Sequence, residues 1–253
     1  MLSVVIITRN EERDLPGCLD SVRAVADEIV LVDNQSTDKT LDIARQFSCK
    51  VYSRRFDHYA GQKQYAVEQA RGEWVLSLDA DERLSPPLRE EIRRALSNGA
   101  SAPGGNHGYY IPFEVHFLGR KLRFGGVGGE NHLRLFRREA GRFTGGRLHE
   151  GVDVAGKTAH LSFPILHTPY RDLNEYFDKF NLYTSLAAQK RWEQGMRFRF
   201  YHHILLPWEF FRRAVLQLGF LDGIAGISWA GLAAFHTWVK YIKLKELEKK
   251  WNG

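Results

Sequence analysis

The sequence predicts an α/β fold: a doubly wound, mostly parallel sheet, extended by a small antiparallel addition and a C-terminal amphipathic helical tail. Three observations carry this expectation. Over the first hundred residues, apolar runs of strand length alternate with segments of helix length in a βαβαβαβα order, the pattern of a parallel sheet wound with helices. Three of those apolar runs end in the polar residues Thr8, Asp33 and Asp79, which gathers these groups on the sheet edge where open α/β sheets bind ligands. After residue 108 the strand-like runs become short and are separated by turns, as in antiparallel structure.

Taken in order, residues 2–8 form a strand. Asp14 before Leu15-Pro16 predicts an N-cap with proline in the first turn, and the helix runs to about Arg23. Residues 28–33 are a second strand whose Ile29-Val30-Leu31-Val32 reads as buried on both faces. Ser36-Thr37-Asp38 caps a helix through Phe47, and residues 49–53 are a short third strand. Residues 59–70 are helical with Ala66, Val67 and Ala70 on one face, residues 74–79 form the fourth strand, and residues 86–96 the next helix. Residues 98–107 are small and polar, a loop. Residues 109–115, 132–138 and 160–166 are short strands, and residues 172–194 a helix.

Composition bounds the function. The 253 residues are 43% hydrophobic and 26% charged, an ordinary globular balance. Cys18 and Cys49 make neither a disulfide framework nor a zinc spacing, and a reducing compartment suits them. The apolar start lacks a basic leader and is broken at once by Arg9, Asn10, Glu11 and Glu12, so it reads as a buried strand rather than a signal peptide. No Gly-x-Gly-x-x-Gly follows the first strand, which argues against a dinucleotide site, and the glycines from 125 to 129 read as a loop.

The chemistry concentrates at Asp79-Ala80-Asp81-Glu82. Asp79 and Asp81 are two apart, so in extended geometry their carboxylates point the same way. Two such groups make a hard-oxygen site for Mg²⁺ or Mn²⁺, which completes its shell with water and substrate phosphates. The alternative is a solvated acidic turn before the helix that Ser85-Pro86-Pro87 starts.

Three blocks in this order, residues 4–12 (VVIITRNEE), 32–40 (VDNQSTDKT) and 78–82 (LDADE), resemble a family 2 inverting glycosyltransferase with the GT-A fold. Further on, residues 133–138 (LRLFRR), 148–152 (LHEGV), His167 and 219–223 (GFLDG) resemble the branch that contains bacterial lipopolysaccharide core β-glucosyltransferases. The resemblance implies a hexosyltransferase that moves a hexose, glucose first among the candidates, from a UDP-sugar to a lipid-linked envelope glycan such as the lipopolysaccharide inner core. It implies that Thr8 and Asp33 contact uracil and ribose, that Asn10, Glu11 and Ala80 lie in the nucleotide-facing loops, and that Lys63 is a basic residue near the nucleotide. Asp79 approaches ribose and sugar, Asp81 binds the divalent cation, His167 is a candidate to complete its shell, and Glu150 is the general base. Glu130 is the runner-up base, and His149 is structural or supports the site from behind its neighbours. Two other readings stay open: sugar transfer to a polyprenyl phosphate, and a nucleotide-sugar-binding protein without catalysis. Gln189-Lys190-Arg191-Trp192 is one residue short of the Gln-x-x-Arg-Trp of processive synthases, which argues for transfer of a single sugar.

The expected organisation is a glycosyltransferase domain over residues 1–195, with a nucleotide-sugar half (1–98) and an acceptor half (99–195), followed by a tail over 196–253. Residues 1–188 hold 25 Lys/Arg and 25 Asp/Glu, whereas 189–253 hold 11 and 5, so the net charge of +6 sits in the tail. Its apolar stretch, 214–235, is interrupted by Gln217 and Asp222, which argues against a spanning helix. Basic residues and aromatics flank it. The tail therefore reads as helices lying in or on the inner leaflet of the membrane, apolar face inward and basic groups on the lipid headgroups, placing the enzyme in the cytoplasm at the inner membrane, with no nucleic-acid partner. The alternative is a helical pair packed on the catalytic domain, or a homo-oligomer interface.

Overall fold

The architecture follows from which apolar runs are buried on both faces. The computed structural model describes residues 1–98, 105–145 and 150–251. In chain order its elements are β1 (Leu2–Thr8), α1 (Leu15–Val22), β2 (Glu28–Asp33), α2 (Thr40–Gln46), β3 (Lys50–Ser53), α3 (Tyr59–Gln69), β4 (Trp74–Asp79), β5 (Glu82–Leu84) and α4 (Pro86–Asn98). There follow β6 (Gly108–Phe117), β7 (Arg120–Lys121), β8 (Asn131–Arg137), β9 (Gly141–Gly145), β10 (Glu150–Val154), β11 (Thr158–His160) and β12 (Ile165–His167). The helices α5 (Leu173–Glu193), α6 (Leu205–Phe211) and α7 (Gly223–Trp251) complete the chain. Two compact units can be distinguished, residues 1–114 with 129–167, and residues 115–128 with 168–253.

In the first unit the strands run β3-β2-β1-β4-β8-β6-β12-β5, with β3, β2, β1 and β4 parallel and β8 antiparallel to both β4 and β6. Every residue of β2 is buried, as a strand covered on both faces requires. Val4, Ile6, Leu31, Leu76 and Leu78 pack with α1 and α4 on one face; Val5, Val30, Val32 and Val75 pack with Ala66 and Val67 of α3 on the other. Register sets Thr8 beside Asp33 and Ile7 beside Asp79, so the three polar strand ends do share one edge. The opposite end is tied by Glu28, whose carboxylate accepts from Ser3 Oγ at 2.5 Å, Lys50 Nζ at 2.6 Å and the Arg71 backbone N–H at 2.5 Å.

Local details differ from the sequence reading. Asp14 begins α1 but makes no side-chain cap; its carboxylate pairs with Arg83 Nη2 at 3.4 Å. The helix after Ser36-Thr37-Asp38 starts only at Thr40, whose N–H Asp38 Oδ1 accepts at 3.0 Å. The strand expected at 160–166 is two strands, β11 and β12, and β5 is an unforeseen three-residue strand that pairs antiparallel with β12. Both follow from the same cause: a pairing partner distant in sequence turns a segment too short to be read as a strand into one. The glycines from 125 to 129 form a loop, with Gly125 and Gly126 at φ 74° and 75°.

In the second unit, α5 and α7 pack through stacked Phe180 and Phe235, and Tyr176 Oη donates to the Leu232 carbonyl at 2.9 Å. Asp172 caps α5 by accepting from Glu175 N–H at 2.9 Å. Between α6 and α7 the chain passes through a wide π-turn (Arg212–Leu216) and a 3₁₀ turn (Gly219–Asp222).

Candidate active site

The first half of the site is made by the loops after β1 and β2. Thr8 Oγ1 donates to Asp33 Oδ1 at 3.1 Å, and Ser36 donates to both oxygens of the same carboxylate, through its backbone N–H at 2.9 Å and its hydroxyl at 2.5 Å. Asn10, in the left-handed region at φ 57°, sends its backbone N–H to Ser36 Oγ at 2.8 Å and accepts from Thr37 N–H at 2.8 Å. The Glu11 N–H reaches Thr40 Oγ1 at 2.7 Å. The two loops are therefore stitched together, and Thr8, Asn10, Glu11 and Asp33 belong to one wall.

The second half centres on a buried cation. Lys63, on α3 and only 2% exposed, places Nζ 2.8 Å from Asp79 Oδ1 and 2.9 Å from Glu150 Oε1. Burial works against the ammonium charge, but Asp79 first, then Glu150 and Glu82, outweigh it and hold the Lys63 pKa above its ordinary value, although Arg134 opposes them. Arg134 on β8 donates to the other oxygen of Asp79 at 3.2 Å and to Glu82 Oε1 at 2.6 Å. Burial would raise the Asp79 carboxyl, but Lys63 and Arg134 overcome it and hold the group well below the usual carboxylate range. Glu82, 1% exposed, is pushed up to about 7 by burial, against the charge of Arg134 and with the help of Asp79 and Asp81. Its other oxygen accepts the Asp79 N–H at 2.9 Å.

Asp81 stands apart from this cluster. The β5–β12 ladder sets His167 opposite Glu82 and brings its Nε2 to 3.4 Å from Asp81 Oδ2. Burial lowers the His167 pKa, yet the hydrogen bond and charge of Asp81, with Glu82 and Asp79 behind it, leave it raised. Among the described residues no three His, Cys, Asp or Glu side chains converge on a common metal position. One carboxylate and one imidazole nevertheless fit a cation such as Mn²⁺, whose remaining positions phosphate oxygens and water can fill. Ala80 turns its methyl into the core, so only its backbone is left for a ligand. Glu130 pairs with His132 at 3.3 Å. His149 lies outside the described residues.

Two participants were not singled out from sequence: Arg134 and Glu82. Glu82 looked like one more acid of a turn, and Arg134 like one of several arginines on a strand. Only burial distinguishes them, and the available signal was a third acid directly after Asp-x-Asp. The assembled site offers a polar wall for a nucleoside, a buried ammonium beside two carboxylates for anionic groups, a carboxylate–imidazole pair, and Glu150, 24% exposed at its side chain, as a proton acceptor.

Comparison with known proteins identifies the family. The profile of Glycosyl transferase family 2 matches residues 3–158, a span that holds the site residues described above except His167. A lipopolysaccharide core biosynthesis glycosyltransferase, LpsC of Rhizobium meliloti strain 1021, is 33% identical over 248 residues, 92% of this chain and 90% of that protein. An uncharacterized glycosyltransferase of Rickettsia typhi, RT0209, is 29% identical over 98% of this chain and 88% of its own length. The crystal structure of S. aureus TarS 1-349 in complex with UDP-GlcNAc superposes at a TM-score of 0.51 over 98% of this chain and 91% of that one, at 13% identity, a likeness of fold. An α/β architecture of the GT-A kind, a profile match over more than half the chain and full-length relatives named as glycosyltransferases lead to one conclusion: the chain belongs to glycosyl transferase family 2 and is a glycosyltransferase.

Proposed function

We propose that the chain transfers a hexose, glucose first among the candidates, from a UDP-sugar to a lipid-linked envelope glycan such as the lipopolysaccharide inner core, with inversion at the anomeric carbon. The observation that carries this reading is Lys63: one buried ammonium touches both Asp79 of the Asp-x-Asp and Glu150, so the donor-side and acceptor-side carboxylates belong to one site. The name of the Rhizobium meliloti relative supports the acceptor class.

In this mechanism Thr8, Asn10, Glu11 and Asp33 hold the nucleoside. The acceptor hydroxyl attacks the anomeric carbon as the bond to the UDP oxygen breaks. Glu150 takes the hydroxyl proton, a contribution of ~10²–10⁴-fold for a positioned base. Lys63 lies where an ammonium meets the negative charge that grows on the departing diphosphate. A divalent cation held by Asp81 and His167 would add Lewis-acid neutralisation of the same charge. The basic tail attaches the enzyme to the inner leaflet, where a lipid-linked acceptor resides.

The test is incubation of the full chain with a panel of UDP-sugars and a membrane glycolipid extract, followed by mass spectrometry of the lipid. A hexose increment with UDP-glucose is expected; no increment with any donor sinks the proposal. Undiminished transfer by Glu150→Gln would instead favour an acceptor that is already an anion, such as a polyprenyl phosphate.

A further inference from the structure

Within the second unit, residues 200–235 are inverted in polarity. From residue 200 to residue 235 every exposed residue is aromatic, aliphatic or proline. Ile224 is 82% exposed, and Leu216, Leu218, Phe220, Leu221 and Ile227 are all exposed around it. The charged groups of the same stretch, Glu209, Arg212, Arg213 and Asp222, are paired within the protein, while the buried Trp229 Nε1 has no partner among the described residues. Asp222, the residue that argued against a spanning helix in the sequence, accepts from the backbone N–H groups of Arg123 at 2.8 Å and Phe124 at 2.9 Å. Glu209 is matched by Arg212 at 2.6 Å and Arg213 at 3.3 Å, and Arg213 also donates to the Gly125 carbonyl at 3.1 Å. The Gly125 N–H is satisfied by the Gln217 carbonyl at 2.8 Å.

Paired charges inside and apolar side chains outside are what a hydrocarbon solvent demands, since it offers no partner to a charge. A protein partner demands less: interfaces between proteins are about as polar as ordinary surface and carry a polar rim. From residue 200 to residue 235 no exposed residue of this face is charged.

Its geometry is that of a wedge. No single helix among the described residues is long and apolar enough to cross a membrane, whereas residues 200–216 and 219–249 pass that test together and are bent by 70° at the break. Gly219 and Gly226 make the bend: a β-carbon on Gly226 would collide with the Gly219 carbonyl, so the two backbones close on each other only without side chains. Exposed cations stand on both flanks, Arg197 and Arg199 before, Lys245 and Lys249 after. Cations at both ends place both ends on the same, anionic side of a bilayer.

We infer that the bend between α6 and α7 inserts into the hydrocarbon of one leaflet as a re-entrant wedge, held by apolar contact, with the flanking cations at the headgroups. This deepens the membrane attachment proposed above and rests on it: attachment by cations alone would leave the wedge in water.

The test is flotation of the full chain with vesicles of neutral phosphatidylcholine, and of phosphatidylcholine mixed with phosphatidylglycerol, at low salt and at about 1 M salt, where surface charge is screened within about 3 Å. Insertion predicts binding to neutral vesicles and retention at high salt. The variant Leu221→Asp/Ile224→Asp should weaken partition at least about tenfold, because carboxylates in hydrocarbon are costly, while hydrolysis of a UDP-sugar in solution stays unchanged and reports an intact fold. Binding only to anionic vesicles, released by salt, overturns insertion and leaves the peripheral attachment standing. No binding to either vesicle overturns both, and a dimer in sedimentation that Leu221→Asp/Ile224→Asp dissociates would identify the face as a subunit interface instead.

Discussion

Lys63 and Glu150 are 87 residues apart in sequence and meet at 2.9 Å, the same Nζ lying 2.8 Å from Asp79. A buried ammonium shared by two carboxylates couples them: whatever changes the contacts of Lys63 changes the pairing of both. It also ties the N-terminal end of β10 to α3 and the end of β4, so the candidate base is positioned by Lys63.

The first consequence concerns Glu150. Glu150→Gln keeps the size of the side chain and removes the proton acceptor, so kcat is expected to fall by ~10²–10⁴-fold. The KM for the UDP-sugar should change little, because the loss lies in the proton transfer. Initial-rate kinetics with varied donor separate the two, and a fall confined to KM would refute the base role.

Lys63 is predicted to be structural as well as functional. Lys63→Met leaves Asp79 with Arg134 alone and takes from Glu150 its ammonium partner, and breaking a buried ion pair in this way costs about 3–5 kcal/mol. Urea unfolding should show that loss. Adding Glu150→Gln should return part of it, since the charge left without its partner is then gone. Equal stability of Lys63→Met and the unaltered protein would mean that the pairing is not present in solution.

Asp81 and His167 carry the metal expectation. Chelation with EDTA should abolish transfer and Mn²⁺ restore it. His167→Ala should raise the Mn²⁺ concentration needed for half-maximal transfer by about tenfold or more, and calorimetric titration of the protein with Mn²⁺ should show the same weakening. Activity that persists in EDTA contradicts the metal role of Asp81.

Glu28 predicts an acid-labile end of the sheet. Burial opposes its ionisation, but Lys50, Ser3 and the Arg71 N–H lower its pKa from the ordinary 4.5 to about 2. A depressed carboxyl contributes stability that is complete above the unfolded value and is lost as pH falls through the folded one, here between about 4.5 and 2. That shift corresponds to about 3 kcal/mol at neutral pH. Glu28→Gln should lower stability by about that much at pH 7 and flatten the dependence between pH 4.5 and 2, as read by thermal unfolding across that range. A variant with the same acid profile as the unaltered protein would rule out this origin.

The parallel half of the fold was legible because its information is local. Continuous apolar runs at residues 2–8, 28–33 and 74–79 can be satisfied only by burial on both faces, and β1, β2 and β4 have those bounds. The polar strand ends Thr8, Asp33 and Asp79 fall on one edge because parallel strands in register must end together. The short strands β5, β11 and β12 were not legible in this way, since a three-residue strand exists only through its partner.

The sequence by itself thus determined the fold class, the family and the Asp79-Ala80-Asp81 edge of the site. Tertiary structure alone decided which charges meet. That Lys63 joins Asp79 to Glu150, that Arg134 joins Asp79 to Glu82, and that Asp222 turns inward while Ile224 turns out are facts of packing. Pairing between distant residues is set by burial and by the low dielectric that makes an unpaired charge costly, and neither can be read from the neighbours of a residue along the chain.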